Sequence, residues 1–197
     1  MRRPLRSCSA LIIAAALAAC SPSGPETGKA PAQPVDTPST TPPAADPSVP
    51  VASGNTPAAA DIAAIAGLNA AFDPARDPAD DLATAKVEAQ RAGKRIILDV
   101  GGEWCAWCHI LDRFVEGDAE VRRLRDAKYV WMKVNYSEDN ENTAFLSQYP
   151  QVKAYPHLFV LDADGRLLHS QFTGDLEQGK GYDRGRFLAF LQEWAPH

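Results

Sequence analysis

Cysteine, histidine and methionine are scarce in this chain, and their scarcity excludes whole classes of function. Four cysteines, four histidines and two methionines are spread over 197 residues. No second C-x-x-C pair completes the four-ligand set of a structural zinc site, so no metal centre is expected. Lys plus Arg number 20 against 25 Asp plus Glu, with no extended basic tract. That balance excludes nucleic acid as a partner and excludes electrostatic docking on anionic lipid. No apolar run reaches the ~20 residues needed to cross a bilayer as a mature helix.

What the chain does have at its start is an export signal. Arg2, Arg3 and Arg6 form a basic n-region, and Ala10 to Ala18 is a short apolar core. It ends in Leu17-Ala18-Ala19-Cys20, which resembles the lipobox of bacterial lipoproteins. The resemblance implies cleavage after residue 19 and lipid on Cys20. Ser21 is not the aspartate tied to inner-membrane retention, so the same resemblance implies the periplasmic face of the outer membrane. Cys8 would leave with the signal, so Cys105 and Cys108 are the only free thiols expected, in a compartment where disulfides persist. Losing three arginines takes the net charge from −5 to −8.

Residues 20–57 read as a lipidated cysteine followed by a Pro/Ala/Ser/Thr-rich tether. Ten of the sixteen prolines fall between Ser21 and Pro57, too many for helix, sheet or core. Such a tether of about 37 residues spans roughly 35 Å as a coil and about 115 Å stretched as polyproline II. Residues 58–79 form an alanine-rich, helical or looped extension without an evident role. The remaining 80–197 are enough for a single core.

Within that domain the pattern alternates. Asp80 or Asp81 can cap a helix that Gly93 ends, and Ile96–Val100 is a buried, β-branched strand. A helix follows Cys108 with Ile110, Leu111, Phe114 and Val115 on one face, and Gly117-Asp118 breaks it and caps a second piece. Tyr129–Tyr136 is strand-like, Asn140–Tyr149 is read as a short helix, and His157–Leu161 is a strand. Asp162-Ala163-Asp164-Gly165 turns a hairpin into Leu167–Phe172, and Asp183–Trp194 closes the chain as a helix. Strands alternating with helices predict an α/β fold with a mixed sheet covered on both faces.

The C-x-x-C pair sits where a strand hands over to a helix N-terminus, where unpaired N–H groups and the helix dipole favour a thiolate. Trp104-Cys105-Ala106-Trp107-Cys108, with Asp99 six residues earlier, Lys133 in the next strand, Tyr155-Pro156 before the third and Gly174 after the last, resembles the thioredoxin family. The run Phe114-Val115-Glu116-Gly117-Asp118-Ala119-Glu120-Val121 is similar to the C-terminal thioredoxin-like domain of periplasmic disulfide-interchange reductases. The resemblance implies a thioredoxin fold, a central mixed β-sheet flanked by helices on both faces. It also implies a redox disulfide Cys105–Cys108, a buried acid at Asp99 accompanied by Lys133, and a cis-proline at Pro156. Ala106-Trp107, where ordinary thioredoxins have Gly-Pro, and His109 depart from the pattern.

Chemistry gives these residues roles. Cys105, the more exposed thiol, attacks and Cys108 resolves the mixed disulfide. Asp99 either exchanges a proton with Cys108 or is a solvent-facing strand residue, and Lys133 either neutralises Asp99 or faces solvent. Trp107 is expected on an apolar substrate rim and Trp104 in a packing role, with Tyr155-Pro156 aligning the substrate peptide. His109 is either a helix-surface residue or a cation that tunes the thiolate. No cofactor is expected, since the cysteines carry two electrons. The expected partners are protein dithiols and disulfides, with a separate membrane electron donor if the direction is reductive.

Cys105-x-x-Cys108-His109 is also the c-type haem attachment motif, so an electron-transfer lipoprotein is the rival reading. Haem would need a second axial ligand from Met132, His157, His169 or His197. The purified protein is expected to be colourless, and a Soret band in its absorption spectrum would reverse the choice.

Overall fold

The computed structural model describes residues 59–197; the signal, Cys20 and the tether lie outside the described residues. The helices are α1 (Ala59–Gly67), α2 (Pro78–Ala92), α3 (Ala106–Gly117), α4 (Ala119–Lys128), α5 (Thr143–Leu146) and α6 (Arg184–Glu193). The strands are β1 (Arg95–Gly101), β2 (Tyr129–Asn135), β3 (His157–Leu161), β4 (Leu167–Phe172) and a two-residue pair, β5 (Glu177–Gln178) with β6 (Gly181–Tyr182). β1 to β4 form one mixed sheet in the order β2-β1-β3-β4. β2 runs parallel to β1, while β3 and β4 are antiparallel to their neighbours. This is the α/β fold with a mixed sheet that the alternation predicts, in the thioredoxin-type arrangement that the resemblance implies.

β1 is apolar and β-branched because both its faces are covered. Ile97 points into a layer with Leu111 and Val115 of α3, Val121 of α4 and Phe187 and Leu191 of α6. Ile96, Leu98 and Val100 point the other way, against Ala85 and Ala89 of α2 and Leu68. The third and fourth helices are separate because Asp118 stops one and starts the next. Its carboxylate accepts from Glu120 N and Val121 N, satisfying two orphan donors of α4. Arg184, at the start of α6, closes on Asp118 and Glu120.

β2 is an edge strand, and the chain before α2 wraps it. Lys133 N donates to Leu68 O at 2.8 Å, so an amide that would otherwise face solvent is paired. Leu68 packs on the α2 face of the sheet and Phe72 packs with the cysteines. Residues 68–72 therefore cross the sheet edge from one face to the other. Asn140 Nδ2 donates to Pro74 O, and Arg76 pairs with Asp81, which returns the chain to α2.

Three elements differ from the sequence expectation. α2 is capped by Asp77 with Pro78 at its first position, instead of by Asp80 or Asp81; proline is preorganised there and lacks an N–H to orphan. The helix expected over Asn140–Tyr149 contracts to Thr143–Leu146. Asn142, in the left-handed region, donates its Nδ2 to Asn135 O at the β2 exit, while Asn140 Oδ1 accepts from Asn142 N and its Nδ2 reaches Pro74 O. The pair β5–β6 was not anticipated at two residues a strand. Since Asp77 holds the cap, Asp77→Ala is expected to cost about 1 kcal/mol. Asp80→Ala, which loses no cap, should stay within about 0.5 kcal/mol of the parent in the same urea unfolding measurement.

Candidate functional site

The site lies at the C-terminal end of β1, where the chain turns into α3. Cys105 is the N-cap of α3, and its Sγ accepts from Cys108 N at 3.1 Å. Cys105 and Cys108 are joined as a disulfide, and both are buried, Cys105 at 4% exposure and Cys108 at 1%. Cys105 Sγ thus sits where the helix N-terminus concentrates positive potential. Gly101 allows the approach: a Cβ there would lie 2.5 Å from Cys108 Sγ and 3.1 Å from Phe72 Cζ. Strand alternation puts Asp99 on the same face as Gly101.

Asp99 is 1% exposed, so the solvent-facing alternative is excluded. The parallel register sets it opposite Lys133, whose Nζ is 3.6 Å from Asp99 Oδ2 and 2.6 Å from Asp112 Oδ1. Trp131 Nε1 donates to the same Asp99 oxygen at 3.1 Å, while Asp99 Oδ1 has no hydrogen-bond partner among the described residues. Burial pushes the Asp99 carboxyl up to about 6; Lys133 opposes that shift and Asp112 adds to it. A buried acid that titrates near neutrality can hold or release a proton beside a thiol pair. Lys133 is buried too, with Asp112 as its closer partner.

The two tryptophans exchange the places expected of them. Trp104 is 58% exposed, with Nε1 donating to Tyr136 O at 2.7 Å and its ring edge-on to Tyr155. Trp107 is only partly buried yet packs against both the cysteine cluster and the α3–α6 layer, edge-on to Tyr182. The reason is helical phase. Position 107 lies one residue before Cys108 in the first turn of α3 and faces the core, whereas position 104 precedes the cap and lies on Gly102. Trp104 forms one wall of an open recess of about 650 Å³ with Tyr136, Ser137, Glu138, Asp139 and Glu141. Tyr155 stacks on Tyr136, and the Tyr155–Pro156 bond is cis, with Pro156 O accepting from Thr173 Oγ1 at 2.6 Å. His109 is half-exposed, its Nε2 2.8 Å from Glu103 O.

Two participants were not legible in the sequence. Asp112 reads as a polar helix residue, and only the fold brings it to Lys133. Phe72 lies in a proline-punctuated loop some thirty residues upstream, yet it is 2% exposed and packs on both cysteines. Its amide donates to Glu103 Oε1 at 2.9 Å, and Lys133 Nζ sits 4.0 Å from its ring centroid.

The raised Asp99 value fixes a pH dependence. Folding takes up a proton on Asp99 between the unfolded value near 4 and the folded value near 6. The Asp99 contribution to stability is therefore greatest below that window and is expected to fall as pH rises through it, by about 3 kcal/mol. Asp99→Asn should flatten this slope in urea unfolding between pH 4 and 7; an unchanged slope would assign the titration elsewhere.

Residues 77–163 match the thioredoxin-like family. In sequence, the chain is 31% identical over 126 residues to the thiol:disulfide interchange protein DsbD of Pseudomonas sp. (strain JR1 / K1) and 29% identical over 126 residues to DsbD of Pseudomonas fluorescens. Each match covers 63% of this chain and 20% of the relative, so the chain spans about a fifth of the length of these proteins. In structure, it is similar to a disulphide isomerase from Xylella fastidiosa Temecula1, with a TM-score of 0.54 at 19% identity, over 62% of this chain and 94% of the other. Residues 77–163, completed by β4 at the far edge of the sheet, form a thioredoxin-like domain, and the chain is a relative in sequence of DsbD.

Proposed function

We propose that this protein is a thiol–disulfide oxidoreductase that acts on protein disulfides in the reducing or isomerising direction. It is held by lipid on Cys20 at the periplasmic side of the envelope, at the outer membrane. The observation that carries the reading is the Cys105–Cys108 disulfide at the N-terminus of α3, with Cys105 Sγ as the helix cap. The relatives named for thiol:disulfide interchange support the activity, and the signal-like start supports the location.

The cycle balances with the residues present. In the dithiol state the Cys105 thiolate attacks one sulfur of a substrate disulfide and forms a mixed disulfide, and the first substrate thiolate leaves. Cys108 then loses its proton and attacks Cys105 Sγ. The protein disulfide forms, the second substrate thiolate leaves, and two electrons have passed to the substrate. Asp99, with Lys133 beside it, is the group placed to take the Cys108 proton. Trp104, Tyr155 and Pro156 line the approach to Cys105, and Trp107 packs behind the cysteines. Returning the disulfide to the dithiol requires a dithiol donor, supplied by a membrane partner in an oxidising compartment.

Cys105→Ser should abolish dithiol exchange, and Cys108→Ser should accumulate a mixed disulfide with substrate on non-reducing gels. Normal turnover by Cys108→Ser would overturn the assignment of the resolving sulfur. Equilibration of the full-length protein with glutathione buffers tests the direction. Thioredoxin lies at about −270 mV and the oxidant DsbA at about −120 mV. A value toward the first supports a reductant, and a value at the second would reverse the proposed electron flow.

A further inference from the structure

Phe72 carries no reactive group, and it lies in a segment that ordinary sequence reading leaves as a connector. Its ring nevertheless touches both the cation of the site and the cluster that holds the sulfurs. Lys133 Nζ stands 4.0 Å from the ring centroid, and the ring packs in one cluster with Cys105 and Cys108, close to Gly101. The ring is held there from both ends. Leu68 O accepts from Lys133 N, and Phe72 N donates to the Oε1 carboxylate oxygen of Glu103, two residues before Cys105.

We propose that Phe72 is a positioning residue of the redox site: its ring partitions the Lys133 ammonium from the two sulfurs and keeps that side of the pair dry, which holds the couple reducing. The proposal rests on the thiol–disulfide reading above. A thiolate is stabilised by a nearby cation and by water, and a stabilised dithiol form makes a stronger oxidant. The ring withholds both. Solvent reaches the ammonium from the far side, through a cleft of about 280 Å³ that Asn69, Ala70, Asp112 and Lys133 help to line. There the Asp112 side chain is 38% exposed, against 4% for Lys133. Protons can thus be exchanged with Asp112 and Lys133 while the sulfurs stay screened.

The other ionisable groups around the sulfurs are Asp99 on β1, Lys133 on β2, Asp112 and His109 on α3, Glu103 in the preceding loop, and the Tyr155 phenol. Lys133 is the one whose charged atom lies against the ring, so removing the ring changes its reach to the sulfurs most.

The test uses the full-length protein with Phe72→Ala, which opens the partition, and Phe72→Leu, which keeps an apolar side chain of similar size. Two quantities are read. One is the pH dependence of Cys105 alkylation after phosphine reduction, followed at the Cys105 peptide by mass. The other is the equilibrium constant for reduction by glutathione. Phe72→Ala should lower the Cys105 thiol pKa by about one unit and raise that constant about tenfold, toward a more oxidising couple. Phe72→Leu should leave both within about twofold of the parent. In a Lys133→Met background the effect of Phe72→Ala should largely vanish.

A folded Phe72→Ala protein with the parent's thiol pKa and equilibrium constant, and only a lower melting temperature, would overturn the proposal. So would a shift that persists undiminished without Lys133. If Phe72→Ala does not fold, Phe72→Val is read by the same criteria. Failure of the parent to equilibrate with glutathione would sink the activity reading alone, because the alkylation profile still reports what the ring does to Cys105.

Discussion

A carboxylate and an ammonium face each other across the parallel pair β1–β2, where both are screened from water. Taking two such charges out of solvent costs several kcal/mol each before their attraction is counted, so the pair is weak as a source of stability. It is retained among residues that are otherwise apolar on both faces of the sheet. The register Asp99↔Lys133 fixes the pair, Trp131 donates to the same oxygen that faces Lys133, and Asp112 draws the ammonium toward α3. The result is an acid whose ionisation is held near neutrality by burial, two positions along the strand from the glycine against which Cys108 packs. Proton chemistry and sulfur chemistry are thereby set on one face of one strand.

The handover from β1 to α3 depends on having little side chain in the way. Gly101 admits Cys108 Sγ, and Gly102 admits the Trp104 indole as it reaches across to Tyr136 O. The Cys105 side chain then does what a serine or aspartate does at an ordinary helix start, accepting an orphan N–H, so one sulfur of the disulfide is also the cap. The segment preceding α2 completes the site from the opposite edge. It covers the β2 edge with one backbone hydrogen bond and delivers an aromatic ring to the sulfurs. The same few residues blunt a sheet edge and pack an aromatic ring in the cysteine cluster.

Local pattern was a good guide wherever the responsible residues are neighbours in the chain. The β-branched run of β1, the Gly-Asp break between α3 and α4, the Asp-Ala-Asp-Gly turn and the closing helix α6 all fall within a residue of where the sequence puts them. Pattern failed where competition between neighbours decided the outcome. Pro78 moved the α2 cap to Asp77, and Asn142 took a left-handed backbone that a helix starting at Asn140 could not contain. Trp104 and Trp107 are identical in type and three residues apart; only the phase of α3 against the sheet tells which is buried.

The sequence by itself determined the C-x-x-C pair and its place between strand and helix, because two-residue spacing and strand periodicity are local properties of the chain, whereas Asp99 and Lys133 were marked only by resemblance to a family pattern. Tertiary structure alone decided which charges meet those residues. Lys133 engages Asp112 as well as Asp99 because α3 crosses β2, and Phe72 reaches the sulfurs because the chain wraps an edge strand before α2 begins. Contacts between residues twenty to sixty positions apart leave no periodicity to read, and they are the contacts that set how the sulfurs and the buried Asp99 are surrounded.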